Sequence, residues 1–412
     1  MTLSPFPRRH APAAKAGEHP ADPRALPPAR LRVVHRAATD LRRGIPVCLT
    51  GSVPGGSVPG GSVPGGDEAG VALLVLAAET AHPPGLAEFL APIAAPPVLL
   101  LAPVRAASVL RRPVAAPAGA DPTEAVALAL PPALLAPEPL ARLADPTLEQ
   151  DLPVAPEPAE TPGFAPGLAP AALALAKLAR LLPAVLAAKL PADAAPPPGV
   201  LSVPAADVLA YRPAAALSLR RLTEAQVPLS AAPDARIVIF RPEDGGSEHL
   251  AILVGNPAAE SAPLVRLHSE CFTGDLLDSL RCDCGAQLRG AIARMAEAGA
   301  GVLLYLAQEG RGIGLASKLR AYTLQDRGLD TLDANRALGW EADERNFLLA
   351  ATMLESLGIS RVRLLTNNPD KLSGLAACGI EIAGREPHAF APNGINDEYL
   401  ATKARRFGHL LD

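Results

Sequence analysis

The sequence predicts an α+β protein in which helices and strands are mixed, and three observations in its C-terminal half carry that prediction. Residues 302–306, VLLYL, predict a buried strand that leads through a glycine-rich turn into a helix beginning near Leu315. Residues 361–382 predict a strand, a turn and a helix in that order. Apolar side chains recur at helical spacing in residues 285–301 and again in residues 347–357, and a glycine ends each of these helices.

The N-terminal half has a different composition, rich in Ala, Pro and Leu, and most of the 46 prolines of the chain fall before residue 235. Residues 1–30 predict a disordered tail, because few large apolar side chains are present to offset the entropy of ordering. Residues 52–66 are three copies of SVPGG and predict a loop insert. The predicted domains are therefore residues 31–214, which contain the insert, and residues 215–412.

The overall charge and the apolar segments exclude some classes of partner. A chain of 412 residues with a net charge of -4 has no general attraction for nucleic acid or for an anionic membrane. The apolar stretches at residues 86–104 and 168–190 are interrupted by prolines or by charged residues, which argues against a membrane span. The N-terminus has no apolar core typical of a secretory signal. These features predict a cytoplasmic protein with a small anionic ligand.

Three of the five cysteines are crowded into residues 266–288, RLHSECFTGDLLDSLRCDCGAQL. If the segment folds back, Cys271, Cys282 and Cys284 can converge on one metal ion. Three sulfur ligands leave a fourth tetrahedral position for water, which is typical of a catalytic zinc that makes hydroxide available near neutral pH. On spacing alone, a structural zinc with a fourth ligand such as His268 remains open, and so do three buried free cysteines.

The order and spacing of residues around the cysteines resemble the signature of GTP cyclohydrolase II, a zinc enzyme of riboflavin biosynthesis. His268 and Glu270 precede Cys271, and Thr273, Gly274 and Asp275 follow it. The resemblance covers about 200 residues and implies a mixed α/β cyclohydrolase domain. It also implies one Zn²⁺ per subunit, Mg²⁺ on the GTP phosphates and a homodimer. The implied reaction is hydrolysis of GTP to 2,5-diamino-6-(5-phosphoribosylamino)pyrimidin-4(3H)-one, formate and pyrophosphate.

The same resemblance implies the substrate-binding residues of the site. They are Arg266, Leu267, His268, Ser269, Glu270, Gln287, Glu309, Gly310, Arg311, Thr331, Thr366 and Lys371. Among them Gln287 is expected to read the guanine edge, since an amide carries both a donor and an acceptor. Without the resemblance, a lone Gln on a helix is more often solvated.

The implied catalytic residues are Tyr322, Asp343 and Arg345. Tyr322 is expected to place its hydroxyl near the ring, although its position on a helix also fits a core residue. The cations Lys318 and Arg320 on the same helix fit a solvated face. Asp343 matches a proton acceptor, whereas the residues alone favour a carboxylate in the first turn of a helix. Arg345 matches a proposed nucleophile, but a guanidinium that stays protonated suits stabilisation of the departing pyrophosphate better.

Residues around the SVPGG insert, and residues 201–212, LSVPAADVLAYR, resemble parts of 3,4-dihydroxy-2-butanone-4-phosphate synthase. The resemblance implies an α/β synthase-like domain that has degenerated. Only Asp67 and Glu68 stand where the family has an acidic magnesium-binding stretch. Pro122 stands in residues 121–125 where the family has a histidine for acid–base work. We therefore expect no synthase activity from this half.

Overall fold

The computed structural model describes residues 26–52, 70–111, 125–148, 151–159, 164–191, 195–341, 343–391, 393–408 and 410. Two seven-stranded mixed sheets carry the fold, which confirms the predicted α+β class. The first sheet takes its strands from residues 47–204 and the second takes its strands from residues 220–386. Within the described ranges, no helix is long and apolar enough to cross a bilayer.

The strands of the first sheet lie in the order β5-β4-β3-β6-β2-β1-β7, and only β1 and β7 run parallel as neighbours. Its strands are β1 (Val47–Ser52), β2 (Gly70–Ala77), β3 (Val98–Leu101), β4 (Val126–Ala129), β5 (Glu157–Ala159), β6 (Ala184–Lys189) and β7 (Leu201–Pro204). The helices of this half are α1 (Pro28–Arg42), α2 (Pro83–Leu90), α3 (Pro103–Leu110), α4 (Pro137–Ala144), α5 (Leu168–Leu178) and α6 (Ala205–Leu217).

The second sheet lies in the order β14-β13-β11-β12-β10-β9-β8. Its strands are β8 (Arg220–Gln226), β9 (Arg236–Arg241), β10 (His249–Val254), β11 (Leu264–Ser269), β12 (Gly301–Leu306), β13 (Arg361–Leu365) and β14 (Glu381–Glu386). The helices are α7 (Cys284–Glu297), α8 (Leu315–Asp326), α9 (Thr331–Ala337), α10 (Phe347–Ser356), α11 (Pro369–Ala377) and α12 (Asp397–Phe407). The strand predicted at residues 302–306 and the helix predicted to begin near Leu315 are both present.

Four neighbouring strands of the second sheet, β14, β13, β11 and β12, are parallel. Strand β11 is buried along nearly its whole length, as expected for a central strand covered on both faces. Because parallel strands end at the same edge, the segments that follow β11, β12 and β13 meet there. Crevices at the carboxyl ends of such strands are the usual ligand sites of open α/β sheets.

The two halves share an apolar core. Leu182, Leu186 and Leu134 of the first half belong to the same buried cluster as Leu324 of α8 and Trp340. Trp340 is 1% exposed, so its indole ring lies wholly between the halves. Helix α8, which carries Tyr322 of the predicted site, is therefore packed against the first half.

Two predicted boundaries need correction. Helix α1 begins at Pro28, so residues 28–30 are helical rather than part of a tail. Proline suits the first turn of a helix, and Leu31 and Val34 bury the inner face of α1. The predicted boundary after residue 214 falls inside α6, and the chain passes between the sheets after Leu217.

Several predictions fall on residues that the structure does not describe. Residues 1–25 of the predicted tail and residues 53–66 of the SVPGG insert lie outside the described residues. The same holds for Asp67 and Glu68, and for residues 121–124 of the degenerate motif.

Candidate active site

A cleft opens at the carboxyl ends of β11, β12 and β13, and its volume is about 1060 Å³ including the space open to solvent. The segments after the three strands supply its walls, as the parallel order dictates. The predicted residues in its lining are Arg266, His268, Ser269, Glu270, Cys271, Cys284, Gln287, Glu309, Gly310, Arg311, Tyr322, Thr331, Arg345, Thr366 and Lys371.

Three predicted residues are not in the lining of the cleft. The side chain of Leu267 is buried in the core of the second sheet, and only its carbonyl oxygen is used, as acceptor for the Lys371 ammonium at 2.7 Å. Cys282 contacts Cys271, and Asp343 contacts Arg345, but neither Cys282 nor Asp343 is itself in the lining. Leu267 faces the core because neighbouring residues of a strand, here β11, point to opposite faces of the sheet.

The three cysteines of the predicted metal site converge. The ligand atoms of Cys271, Cys282 and Cys284 all lie within 4.8 Å of one another, and Cys271 Sγ is 3.8 Å from Cys282 Sγ. The segment between them folds back through a π-helical turn at Phe272–Leu276, and α7 begins at Cys284. The local fold therefore joins ligands that are up to 13 positions apart in the chain.

The sulfur spacing fits a tetrahedral metal. Two thiolates about 2.3 Å from one zinc ion in tetrahedral geometry are separated by about 3.8 Å. Gly274 makes this approach possible, since a Cβ there would lie 2.7 Å from Cys282 Sγ and 3.0 Å from Cys271 Sγ. Within the described part of the chain, the group consists of these three cysteines, and no His, Asp or Glu side chain belongs to it.

His268 does not complete the group as a fourth ligand. Its Nε2 is 3.0 Å from Asp275 Oδ1, and its ring stacks on Tyr305 with centroids 5.6 Å apart. The Asp275 carboxylate also accepts hydrogen bonds from the Cys271 amide and the Tyr305 hydroxyl, each at 3.0 Å. Burial lowers the pKa of His268, so the imidazole tends to be neutral despite this neighbour. A closed site with His268 as ligand is therefore not what the fold supports.

Lys318 makes three hydrogen bonds beside the cysteines. Its ammonium donates to Glu309 Oε1 at 2.8 Å, to Thr273 Oγ1 at 2.9 Å and to Cys271 Sγ at 3.1 Å. Burial alone would lower the pKa of Lys318, but the bond to Glu309 and the charge of Cys271 raise it above its usual value. Hydrogen bonds from Cys282 and Cys284, together with Lys318, hold the pKa of Cys271 far below that of a free thiol. The site thus favours a thiolate, which is the form that binds metal.

The side chain of Glu309 ties the glycine-rich turn to the cysteine loop. Besides Lys318, this carboxylate accepts a hydrogen bond from the Phe272 amide at 2.7 Å, and it is only 4% exposed. Gly310 and Arg311 follow with φ of 62° and 63°, in the left-handed region. A Cβ at Gly310 would also lie 2.9 Å from Ile313. The glycine-rich turn that the sequence predicts after β12 is therefore present.

A buried polar chain forms another wall of the cleft. Arg266, 5% exposed, donates to the Leu365 carbonyl at 2.9 Å and to the Gln287 side-chain oxygen. The Gln287 amide nitrogen in turn donates to the Asp283 carboxylate. Both ends of the Gln287 amide are therefore engaged, and Gln287 is not the solvated helix residue that the sequence alone favoured. Burial lowers the pKa of Arg266 to about 10, which still leaves it protonated.

Asp343 and Arg345 form an ion pair beside the cleft. Arg345 Nε lies 2.8 Å from Asp343 Oδ1, and a second nitrogen contacts the other carboxylate oxygen. Burial would raise the pKa of Asp343, but the bond and charge of Arg345 outweigh it and lower the pKa. Helix α10 begins only at Phe347 and is capped by Asn346, so the first-turn interpretation of Asp343 is wrong.

Tyr322 on α8 lines the cleft, which the sequence alone could not separate from a core position. Lys318 and Arg281 lie 5.8 and 5.0 Å from its ring centroid. Burial raises the pKa of Tyr322, so its hydroxyl keeps its proton near neutral pH. The solvated face expected for Lys318 and Arg320 is wrong, because Lys318 faces the cysteines and Arg320 pairs with Glu79 and Asp145 of the first half.

Sequence reasoning missed several residues of the site. Asn367 and Asn368 follow β13, and His388 follows β14, and all three line the cleft. The His388 ring donates from Nε2 to the Gln287 carbonyl at 2.8 Å, and burial lowers the pKa of His388 to about 4. The TNNP turn was a usable signal for the asparagines, since it follows a predicted strand. No local pattern pointed to His388.

Comparisons with known proteins agree with this geometry. Residues 220–387 match the family model described as GTP cyclohydrolase II. A GTP cyclohydrolase-2 of Azospirillum brasilense is 56% identical over 296 residues, which are 70% of this chain and 76% of that protein. Proteins of the same name from Cronobacter sakazakii and Escherichia coli O9:H4 are 50% and 49% identical over 195 and 196 residues. Those matches cover 47% and 48% of this chain, and 98% and 100% of the relatives.

The solved structures that match include RibBX, a two-domain 3,4-dihydroxy-2-butanone 4-phosphate synthase from A. baumannii. It is 18% identical and covers 85% of this chain and 98% of its own, with a TM-score of 0.31. A likeness at that TM-score does not establish a shared fold.

Proposed function

The chain belongs to the GTP cyclohydrolase II family, and we propose that it uses zinc to hydrolyse GTP to 2,5-diamino-6-(5-phosphoribosylamino)pyrimidin-4(3H)-one, formate and pyrophosphate. The observation that carries the proposal is the convergence of three thiols, whose sulfur atoms lie within 4.8 Å of one another, beside a cationic cleft. Held by Cys271, Cys282 and Cys284, zinc would supply activated water near neutral pH.

The side chains of the cleft suit a nucleoside triphosphate. Its cations match the negative phosphates, and guanidinium and ammonium groups bind phosphate through charge-assisted hydrogen bonds. The cationic residues of the lining are Arg266, Arg311, Lys318, Arg345 and Lys371. Magnesium is expected on the phosphates of the substrate itself, because the leaving pyrophosphate needs further neutralisation.

Roles for the catalytic residues follow from their surroundings. Arg345 is held by Asp343 and keeps its proton, so in this proposal it stabilises charge on the departing pyrophosphate rather than acting as a nucleophile. Asp343 orients Arg345 and is the available proton acceptor of the pair. Tyr322 retains its proton and can donate a hydrogen bond to the opening ring.

The test is product analysis of purified protein with GTP, Mg²⁺ and one equivalent of zinc. Equal yields of formate and pyrophosphate are expected. Pyrophosphate without formate would indicate an enzyme that stops at the formamide. Zinc uptake with no change in the guanine absorbance would indicate a zinc protein that only binds, and would refute the proposal.

The remaining parts of the proposal concern the whole protein. We infer a homodimer that is located in the cytoplasm. Sedimentation of the purified protein tests whether it is dimeric. We also infer that the first half makes no dihydroxybutanone phosphate from ribulose 5-phosphate and magnesium. A clear yield of that product would contradict this inference.

A further inference from the structure

Side chains from both halves meet at Glu344, the residue between the two members of the Asp343–Arg345 ion pair. Lys177 of α5 places its ammonium 2.6 Å from Glu344 Oε1. Arg212 of α6 places a guanidinium nitrogen 2.8 Å from Glu344 Oε2. The Glu344 side chain is 7% exposed, so one buried carboxylate carries two cations that come from 167 and 132 positions earlier in the chain.

Backbone contacts join the same elements. Arg212 also donates to the Glu344 carbonyl at 3.1 Å, and the Asn346 side chain donates to the Arg212 carbonyl at 3.0 Å. Glu344 Oε1 accepts a further hydrogen bond from the Glu341 amide at 3.2 Å. Helices α5 and α6 therefore hold Glu344 and Asn346, the residues on either side of Arg345.

This segment has no regular secondary structure of its own. Helix α9 ends at Ala337 and α10 begins at Phe347, and the described residues between them, 338–341 and 343–346, belong to no helix or strand. On the side of the cleft, the Glu344 amide donates to the Arg311 carbonyl at 3.2 Å. A Cβ at Gly312 would lie 2.8 Å from the Glu344 carbonyl oxygen. Glu344 thus contacts the glycine-rich turn as well as the first half.

The charges explain why the cations are needed. Burial would raise the pKa of Glu344, but Lys177 and Arg212 outweigh burial and lower it. An ionised carboxylate this deeply buried is unfavourable without its partners. If a cation is removed, the side chain and its backbone are expected to turn towards water, and Arg345 would move with them.

We propose that Lys177 and Arg212 are positioning residues, through which the N-terminal half fixes the Asp343–Arg345 pair in the cleft. The inference rests on the proposed function, because it assigns these residues to the geometry of that reaction. The N-terminal half is then a working part of the active site, although it contributes no group to the chemistry.

The kinetic test uses the full chain with zinc and the variants Lys177→Met, Arg212→Met and Glu344→Gln. Small displacements of catalytic groups reduce rates steeply, so kcat is expected to fall about tenfold in each single variant and about 100-fold in K177M/R212M. KM for GTP should change by less than about threefold, since most of the cleft is untouched. Lys177→Arg should restore kcat, and K177M should add little to E344Q.

Arg42→Met is the matched control. Arg42 lines the same surface between the halves and donates to the Ala179 carbonyl at 2.7 Å, but it contacts no carboxylate among the residues described. Its removal should leave kcat within about twofold, because no catalytic segment moves. K177M and R212M each remove a cation from the buried Glu344 carboxylate and can therefore fail to fold. E344Q removes the carboxylate charge itself, so it still tests the positioning role in that case.

A second measurement does not depend on turnover. Amide hydrogen exchange in residues 343–349 should be faster in K177M/R212M than in the wild type, while exchange in α8 stays unchanged. Wild-type protein that does not open GTP would refute the proposed function, and the exchange result would still decide the positioning role. Unchanged kcat and unchanged exchange in the double variant, or an equal loss in R42M, would overturn the inference.

Discussion

Replacing Gly274 by alanine tests the metal site with one methyl group. The added Cβ would lie 2.7 Å from Cys282 Sγ, 2.9 Å from Cys284 Cβ and 3.0 Å from Cys271 Sγ. Optimal contacts lie at about 3.5–4.0 Å, so the methyl group overlaps all three cysteines by roughly 0.5–1 Å. Gly274 is not among the residues with positive φ, so the effect is steric and not due to backbone strain.

The size of the effect follows from the cost of overpacking. An extra methyl group in a tightly packed site costs about 1–3 kcal/mol. The thiols can escape the overlap only by moving apart, which spoils the geometry for one metal ion. Most of the cost should therefore appear as weaker zinc binding, by about 5- to 150-fold in Kd.

The assay is competition for zinc against a chromophoric chelator at fixed pH, with circular dichroism to confirm that the variant is folded. Gly384→Ala is the control, since a Cβ at Gly384 meets no described atom within 4 Å and its φ is not positive. Its zinc affinity should equal that of the wild type. A folded G274A protein that binds zinc as tightly as the wild type would refute the reasoning from packing.

Three other predictions concern stability. Lys318→Met leaves the Glu309 carboxylate, 4% exposed, without its cation, and should lower the free energy of unfolding by about 3 kcal/mol in urea titrations. Arg320→Met removes two ion pairs between the halves and should cost about 2 kcal/mol, whereas Glu138→Gln, in an exposed pair, should cost less than about 0.5 kcal/mol. Burial lowers the pKa of His249 to about 4, so its contribution to stability is full above about pH 6.5 and is lost as the pH falls to 4, amounting to about 3 kcal/mol. His249→Asn keeps an acceptor for the same backbone amide, and it should reduce the change in urea midpoint between about pH 6.5 and 4. A variant whose midpoint falls as steeply with pH as that of the wild type would contradict the role given to His249.

The convergence of the three cysteines was predictable because its information is local. Cys271, Cys282 and Cys284 lie within 14 residues, and the glycines and the strand β12 mark the turns around them. The chemistry and spacing of the three thiols then leave three interpretations, which are a catalytic zinc, a structural zinc and three free cysteines. The sequence also predicted the order of strand, turn and helix that brings the cleft to one edge of the sheet.

Contacts between distant parts of the chain were not predictable in the same way. Periodicity places Lys318 and Arg320 on a helix, but it does not say that the other half of the protein covers that face. Exposed and covered cations look alike in a sequence, and only the fold separates them. Asp343 was misplaced for a related reason, since the start of α10 depends on the Asn346 cap rather than on the first acidic residue.

The apolar cluster that joins Trp340 and Leu324 to residues of the first half bears on how such a chain can change during evolution. Substitutions that keep the first half folded leave this cluster intact, but deletion of the whole half would expose the apolar side of α8 to water. The expected result is a truncated polypeptide that aggregates instead of a smaller enzyme. Retention of the first half therefore does not require that it carry an activity of its own.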